Sequence, residues 1–232
     1  MIEFFSKGGL FMYPILLVFV AGMAIAVERW LELNRIRGVN RKIWDRIHPV
    51  LTKGEFDKAQ SIIDKDKSTI SQMLGMGLAR MGAVRRREDI EIAMEESMME
   101  IIPQLEKRTS YVALLANIAT LLGLLGTIMG LIEAFTAVSN ANPAEKADLL
   151  SASISVAMNT TAFGLMSAIP LLLFHAKLTS TTGQIVDSLE MASVKALNSI
   201  SDFNKRRFES KSEFPGENRH VSNPEPLLGT AQ

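Results

Sequence analysis

The 232-residue chain contains no cysteine, which excludes a disulfide framework, a thiol nucleophile, an iron–sulfur cluster and any cysteine-ligated zinc site. Histidine is nearly as scarce. His48, His175 and His220 are scattered, and neither an HExxH nor a P-loop pattern occurs. An excess of charge of either sign is also missing, because 25 Lys and Arg balance 25 Asp and Glu. The chain therefore lacks the long-range attraction to phosphate that nucleic-acid binders use, and no basic stripe with interleaved aromatics makes up for it. Nucleic acid is not an expected partner. No enzyme activity, metal or cofactor is expected either. What is abundant is apolar side chain: 47% of residues are hydrophobic and 22% charged, with a mean hydropathy of +0.16. Such a composition excludes disorder along the whole chain.

The apolar residues fall in three blocks, with the charges between and after them. The first, Leu10 to Val27 (LFMYPILLVFVAGMAIAV), carries no charge and has the length of about 18 residues that marks a membrane span. Pro14 sits in its first turn, where a missing N–H costs little. Ala24-Ile25-Ala26 resembles a signal-peptidase site, but a signal peptide carries positive charge before its apolar core. Here Lys7 is offset by Glu3, and Arg29, Arg35, Arg37, Arg41 and Lys42 all follow. We therefore read the block as a retained anchor whose basic flank faces the cytoplasm. The second block (111–138) is interrupted only by Glu133, and the third (153–175) is uncharged up to His175.

The expected architecture is an all-α membrane protein with three transmembrane helices and long cytoplasmic helical extensions. Residues 1–9 form an outer N-terminus, 10–28 the first span, 29–110 a cytoplasmic helical domain, and 111–138 the second span. An outer loop (139–152) leads to the third span (153–175), a cytoplasmic helix (176–209) and a disordered tail (210–232), which includes His220. In the cytoplasmic domain Ile90, Met94, Met98, Ile101 and Leu105 recur at helical spacing behind the acidic start Glu88, Asp89 and Glu91. This spacing predicts a helix running straight into the second span, with a kink at Pro103. Leu178, Ile185, Leu189, Ala192, Ala196, Ile200 and Phe203 give a similar stripe beyond the third span.

The spans hold more than apolar bulk. In the second, Ala116, Thr120, Gly123, Thr127, Gly130 and Ala134 form a stripe of small or hydroxyl-bearing residues, and Gly126 with Gly130 makes a GxxxG pair. In the third, Ser153, Ala157, Thr160 or Thr161, Gly164 and Ala168 form another, while Pro170 frees a backbone carbonyl one turn earlier. Such stripes let helices approach closely. With Phe135 and Ser153 at the outer boundary, Thr127 and Thr161 each lie roughly 12 Å deep at about 1.5 Å per residue. A threonine in a membrane helix can bond its own backbone, but the matched depth also suits a shared polar lining. Glu133, near the outer boundary, is open to being a snorkelling surface carboxylate, the entrance to an ion path, or the partner of a cation on another subunit. His175 is either an interfacial residue or a carrier in proton traffic.

This arrangement resembles the ExbB/TolQ/MotA family of proton-channel subunits, from Gly8 to about Asp202. The resemblance rests on GGLFMYPILLVFVAGMAIAVERW, on LLGLLGTIMGLIEAF around Thr127, and on ISVAMNTTAFGLMSAIP around Thr161. Three spans with one large cytoplasmic loop look like the ExbB and TolQ branch, since the MotA branch usually has four spans. The resemblance implies a homopentamer in the bacterial inner membrane, with a periplasmic N-terminus and a cytoplasmic C-terminus. The second and third spans would line a central pore holding the single-span helices of an ExbD-, TolR- or MotB-like dimer, which brings the proton-binding aspartate. A TonB- or TolA-like protein would receive the work. Thr127 and Thr161 match the family's pore threonines, with Thr160 and Glu133 as further pathway candidates. Gly123, Gly126, Gly130, Gly164 and Pro170 would shape the packing. One position departs: ExbB and TolQ commonly carry a glutamate where this chain has Val156.

The implied function is conversion of proton motive force into mechanical work for envelope transport or maintenance. Two alternatives remain. One is a stator for flagellar or gliding motility that presses on a rotor through Arg85, Arg86, Arg87, Glu95 and Glu96. The other is a membrane scaffold without transport.

Overall fold

The computed structural model describes residues 9–83, 87–140 and 142–212. Arg85 and Arg86, most of the N-terminal segment 1–9, and the tail beyond Ser212 with His220 lie outside the described residues. The described chain folds entirely into helices: α1 (Met12–Thr52), α2 (Phe56–Ile63), α3 (Thr69–Ala83), α4 (Arg87–Glu106), α5 (Thr109–Asn140) and α6 (Lys146–Ser212). Stretches within α1, α4–α5 and α6 are long and apolar enough to cross a membrane. At 67 residues, α6 is about 100 Å long at 1.5 Å per residue, against a hydrocarbon core of about 30 Å. Most of it must stand in water.

The three long helices pack along their small residues. A Cβ on Gly22 of α1 would meet Leu171 of α6 at 2.9 Å and Leu115 of α5 at 3.5 Å, so α1 lies against the α5–α6 pair. Below them a single apolar cluster continues through Ile43, Ile47 and Leu51 of α1, Phe56 and Ile63 of α2, Met73 and Leu74 of α3, and Ile90, Met94, Ile101 and Leu105 of α4. It closes on Leu178, Ile185, Leu189, Ala192, Ala196 and Ile200 of α6.

The join between α4 and α5 differs from the sequence expectation. Rather than running on, α4 ends at Glu106, Lys107 and Arg108 turn, and α5 begins at Thr109. Arg108 has φ of 65°, a left-handed conformation through which a right-handed helix cannot pass. Pro103 is accommodated inside α4. The broken end is held from α1. Arg29, 3% exposed, donates to the carbonyls of Leu105 and, at 3.5 Å, Gln104, and pairs with Glu32. Its neighbour Glu28 pairs with Arg108 at 2.8 Å. A cation thus meets the unpaired carbonyls and negative end of α4, and Arg29 is a buried capping residue, not only one more charge in a basic flank.

A second polar contact fixes the start of α3. Asn40, 3% exposed in the apolar face of α1, donates to Thr69 Oγ1 at 2.7 Å, and its Oδ1 accepts from Thr69 Oγ1 at 3.0 Å and Ile70 N–H at 3.4 Å. Ser68 accepts from the Ser71 N–H at 3.4 Å, the usual N-cap bond. The turn after α1 uses Gly54 at φ +75°, where a side chain would strike the ring of Phe203 at 2.4 Å.

Candidate functional site

The α5–α6 seam is built from three levels of close approach. At the first, a Cβ on Gly164 would lie 2.8 Å from the Ala119 carbonyl and 2.9 Å from Gly123 Cα. Backbone meets backbone here, which only glycine on both sides permits. At the second, a Cβ on Gly126 would meet the Thr160 methyl at 2.4 Å, and at the third, one on Gly130 would meet Ala157 Cβ at 2.8 Å. Small residues recurring every third or fourth position put both helices at van der Waals distance over the half of the spans nearer the α5–α6 loop.

That approach brings Thr127 and Thr161 together. Their hydroxyls are hydrogen-bonded to each other across the seam. Thr161 Oγ1 also reaches the Gly123 carbonyl at 2.9 Å, while Thr127 Oγ1 lies 3.3 Å from the same carbonyl and 3.4 Å from that of Ala157. Two hydroxyl protons therefore face two carbonyl oxygens and each other's oxygen. If Thr161 donates to Gly123, Thr127 can donate to Thr161 or to a carbonyl, and a small rotation exchanges these choices. Both side chains are half-buried, at the edge of the seam. A pair of this kind can accept from a carboxylic acid and, after rotating, donate to a carboxylate. It cannot itself store a proton, since neither hydroxyl titrates in the ordinary range.

The other candidates separate from this pair. Thr160 is 2% exposed, with its hydroxyl 3.0 Å from the Val156 carbonyl of its own helix and its methyl on Gly126. Thr120 likewise bonds back to Ala116 at 3.2 Å. Glu133 is exposed on α5, six residues beyond Thr127 and so about 9 Å further along. His175, half-buried, is 14 residues past Thr161, about 21 Å away along α6. Pro170 lies within α6, one turn before the half-buried Phe174. Val156 packs toward the chain's start: a Cβ on Gly9 would be 3.2 Å from its Cγ1. Among the described residues no cluster of three or more metal-ligating His, Cys, Asp or Glu occurs.

Sequence reasoning missed Arg29 and Asn40. For Asn40 a cue existed, because it falls in register with the apolar face of Leu33, Ile43 and Ile47. For Arg29 the basic flank hid any such cue.

Comparison with known proteins bears on the same region. Residues 65–191 match the model of the MotA/TolQ/ExbB proton channel family, an interval that holds α3, α4, α5 and most of α6, including Thr161. An ExbB homolog of Methanothermobacter thermautotrophicus is 28% identical over 192 residues, covering 82% of this chain and 67% of that protein. An ExbB-like protein of Synechocystis is 27% identical over 194 residues, covering 81% and 74%. The Tol-Pal system protein TolQ of Haemophilus influenzae is 35% identical over 86 residues, 37% of each chain. In three dimensions, a solved structure of C. jejuni MotAB superposes with a TM-score of 0.58 at 16% identity, covering 94% of this chain and 88% of the other, which shows a shared fold. With a family match that takes in both helices of the hydroxyl pair, and with ExbB and TolQ relatives along the sequence, the chain belongs to the MotA/TolQ/ExbB proton channel family, on its ExbB/TolQ-like branch.

Proposed function

We propose that this chain is the channel-forming subunit of an inner-membrane complex that uses inward proton flow to move a partner helix, delivering work to an envelope process. The observation that carries the reading is the hydroxyl pair Thr127–Thr161, made by two apolar helices at a shared depth. In the proposed complex five copies surround a pore, α5 and α6 line it, and a dimeric single-span ExbD- or TolR-like partner carries a membrane aspartate to that level. The N-terminus then lies in the periplasm and α2–α4 in the cytoplasm. As the aspartate gains and loses its proton, the two threonines act as acceptor and then donor, so that neither state of the carboxyl is stranded in hydrocarbon. One charge crossing 100 mV releases about 2.3 kcal/mol, so a few protons suffice for a mechanical step. Thr160 and Glu133 would be secondary contributors, Glu133 as a carboxylate at the outer mouth.

The ExbB and TolQ relatives favour this reading over a motility stator, and the hydroxyl pair favours it over a passive scaffold. Native mass spectrometry of the complex from its own host membrane is the test. Five copies with two of a single-span partner bearing a membrane aspartate would support it, and a homo-oligomer alone would favour the scaffold. In proteoliposomes the chain without its partner should be proton-tight, since it has no aspartate in its own spans. A steady leak from the lone subunit would overturn the division of labour.

A further inference from the structure

On α4 the residues facing away from the core, Glu88, Ile92, Glu95, Glu96 and Met99, make one stripe at helical spacing, with Ile92 52% and Met99 72% exposed. On α1 the exposed residues Arg35, Val39, Lys42 and Arg46 make another, at spacings of four, three and four residues. Among the described residues none of these acids or bases forms an ion pair, although Arg46 lies close enough to Asp66 to help hold its carboxyl charged. The two helices run in opposite directions relative to the membrane. They share one level where Arg29 meets the Leu105 carbonyl. Counting about 1.5 Å per residue from there, Arg35 stands level with Met99, Lys42 with Ile92, and Arg46 with Glu88.

Equal depth does not bring the stripes together within one chain, because α1 and α4 each pack on α6 and only marginally on each other. It is, however, the condition for pairing between copies in a ring, since rotation about the membrane normal leaves depth unchanged. We propose that the acidic stripe of α4 docks on the basic stripe of α1 of a second copy of this chain. This rests on the homo-oligomer put forward above. Ile92 and Met99 supply apolar contact with Val39 and the aliphatic stems of Arg35 and Lys42, and the charges set the register and the order of copies around the ring.

The absence of cysteine makes the test direct. Two differently tagged full-length chains, one Lys42→Cys and the other Ile92→Cys, are co-expressed and oxidised in native membranes. A mixed-tag disulfide dimer is expected, with none from either chain alone. A second arm reverses the stripes: Arg35→Glu with Lys42→Glu and Arg46→Glu, or Glu88→Lys with Glu95→Lys and Glu96→Lys. Each set alone is expected to dissociate the oligomer, and both together in one chain to restore it. No crosslink, with reversal sets that leave the oligomer intact by native mass spectrometry, overturns this interface while the homo-oligomer stands. A wild-type monomer overturns both. If the α1 set alone loses retention on vesicles of anionic lipid while the α4 set changes nothing, the basic stripe serves the bilayer and the docking is overturned.

Discussion

Thr161 of α6 reaches across the seam to the carbonyl of Gly123 on α5, at 2.9 Å. That carbonyl is also within range of Thr127 from its own helix, so the two threonines share an acceptor as well as contacting each other. Replacing Thr161 with valine keeps the shape and removes the donor. Thr127 then still has the Gly123 and Ala157 carbonyls. The expected cost to stability is about 1 kcal/mol, with assembly retained and proton-coupled activity lost; Thr161→Ser should recover activity. The double variant with Thr127→Val should cost less than the two singles added together, because the groups act as one unit. Additive losses would show that the hydroxyls work separately.

Gly164 offers a sharper test of the seam. A Cβ there would meet backbone on α5, at 2.8 and 2.9 Å, where no side chain can give way. Gly164→Ala should destabilise the chain by about 1–3 kcal/mol. Gly183 of the same helix has open space around it, so Gly183→Ala should be neutral or stabilising by up to about 1 kcal/mol. Thermal unfolding in one detergent compares the two directly.

Asn40 ties α1 to the first turn of α3 through three hydrogen bonds. Asn40→Ala leaves the Ile70 N–H and the Thr69 hydroxyl without these partners and opens a gap in the apolar face. The expected loss is about 1–3 kcal/mol, with hydrogen exchange rising first at the start of α3. Unchanged protection there would mean that α3 is held by apolar packing alone.

Asp66, in the turn before α3, has its carboxyl held below the ordinary value of 3.8. The Ser68 side chain is the main cause; the Ser68 N–H, at 2.7 Å, and Ser71 add to it against a smaller opposing effect of burial. A depressed carboxyl contributes stability above its unfolded value and loses it as the pH falls through the folded one. Asp66→Asn should therefore lower the melting temperature at neutral pH, with the difference from wild type closing as the pH drops below 3.8. Because the site is largely solvated, the effect should not exceed about 1 kcal/mol. A difference that persists at low pH would assign it to shape instead of charge.

The three apolar helices were legible because hydrocarbon demands uninterrupted runs of apolar residues, and the shared depth of Thr127 and Thr161 because helical rise is constant. The small-residue stripe alone does not choose between Thr160 and Thr161; the resemblance does. Neighbours on a helix point about 100° apart, so the choice depends on which way α6 is turned at the seam. The break at Lys107–Arg108 has no glycine or proline to mark it, and Pro103 nearby points to the wrong place. What stabilises the broken end is Arg29, 76 residues from the Leu105 carbonyl that it caps. Contacts over such separations leave no local pattern.

The unequal continuity of the two helices that bear the threonines has a mechanical meaning. α5 stops at a turn, whereas α6 passes from Thr161 to Ile200 without interruption, roughly 58 Å at 1.5 Å per residue. Ile200, at the lower end of that stretch, is buried in the same apolar cluster as α1 and α4. One unbroken helix thus joins the level of the hydroxyl pair to the far end of the apolar cluster, whereas the path along the other is interrupted at Arg108.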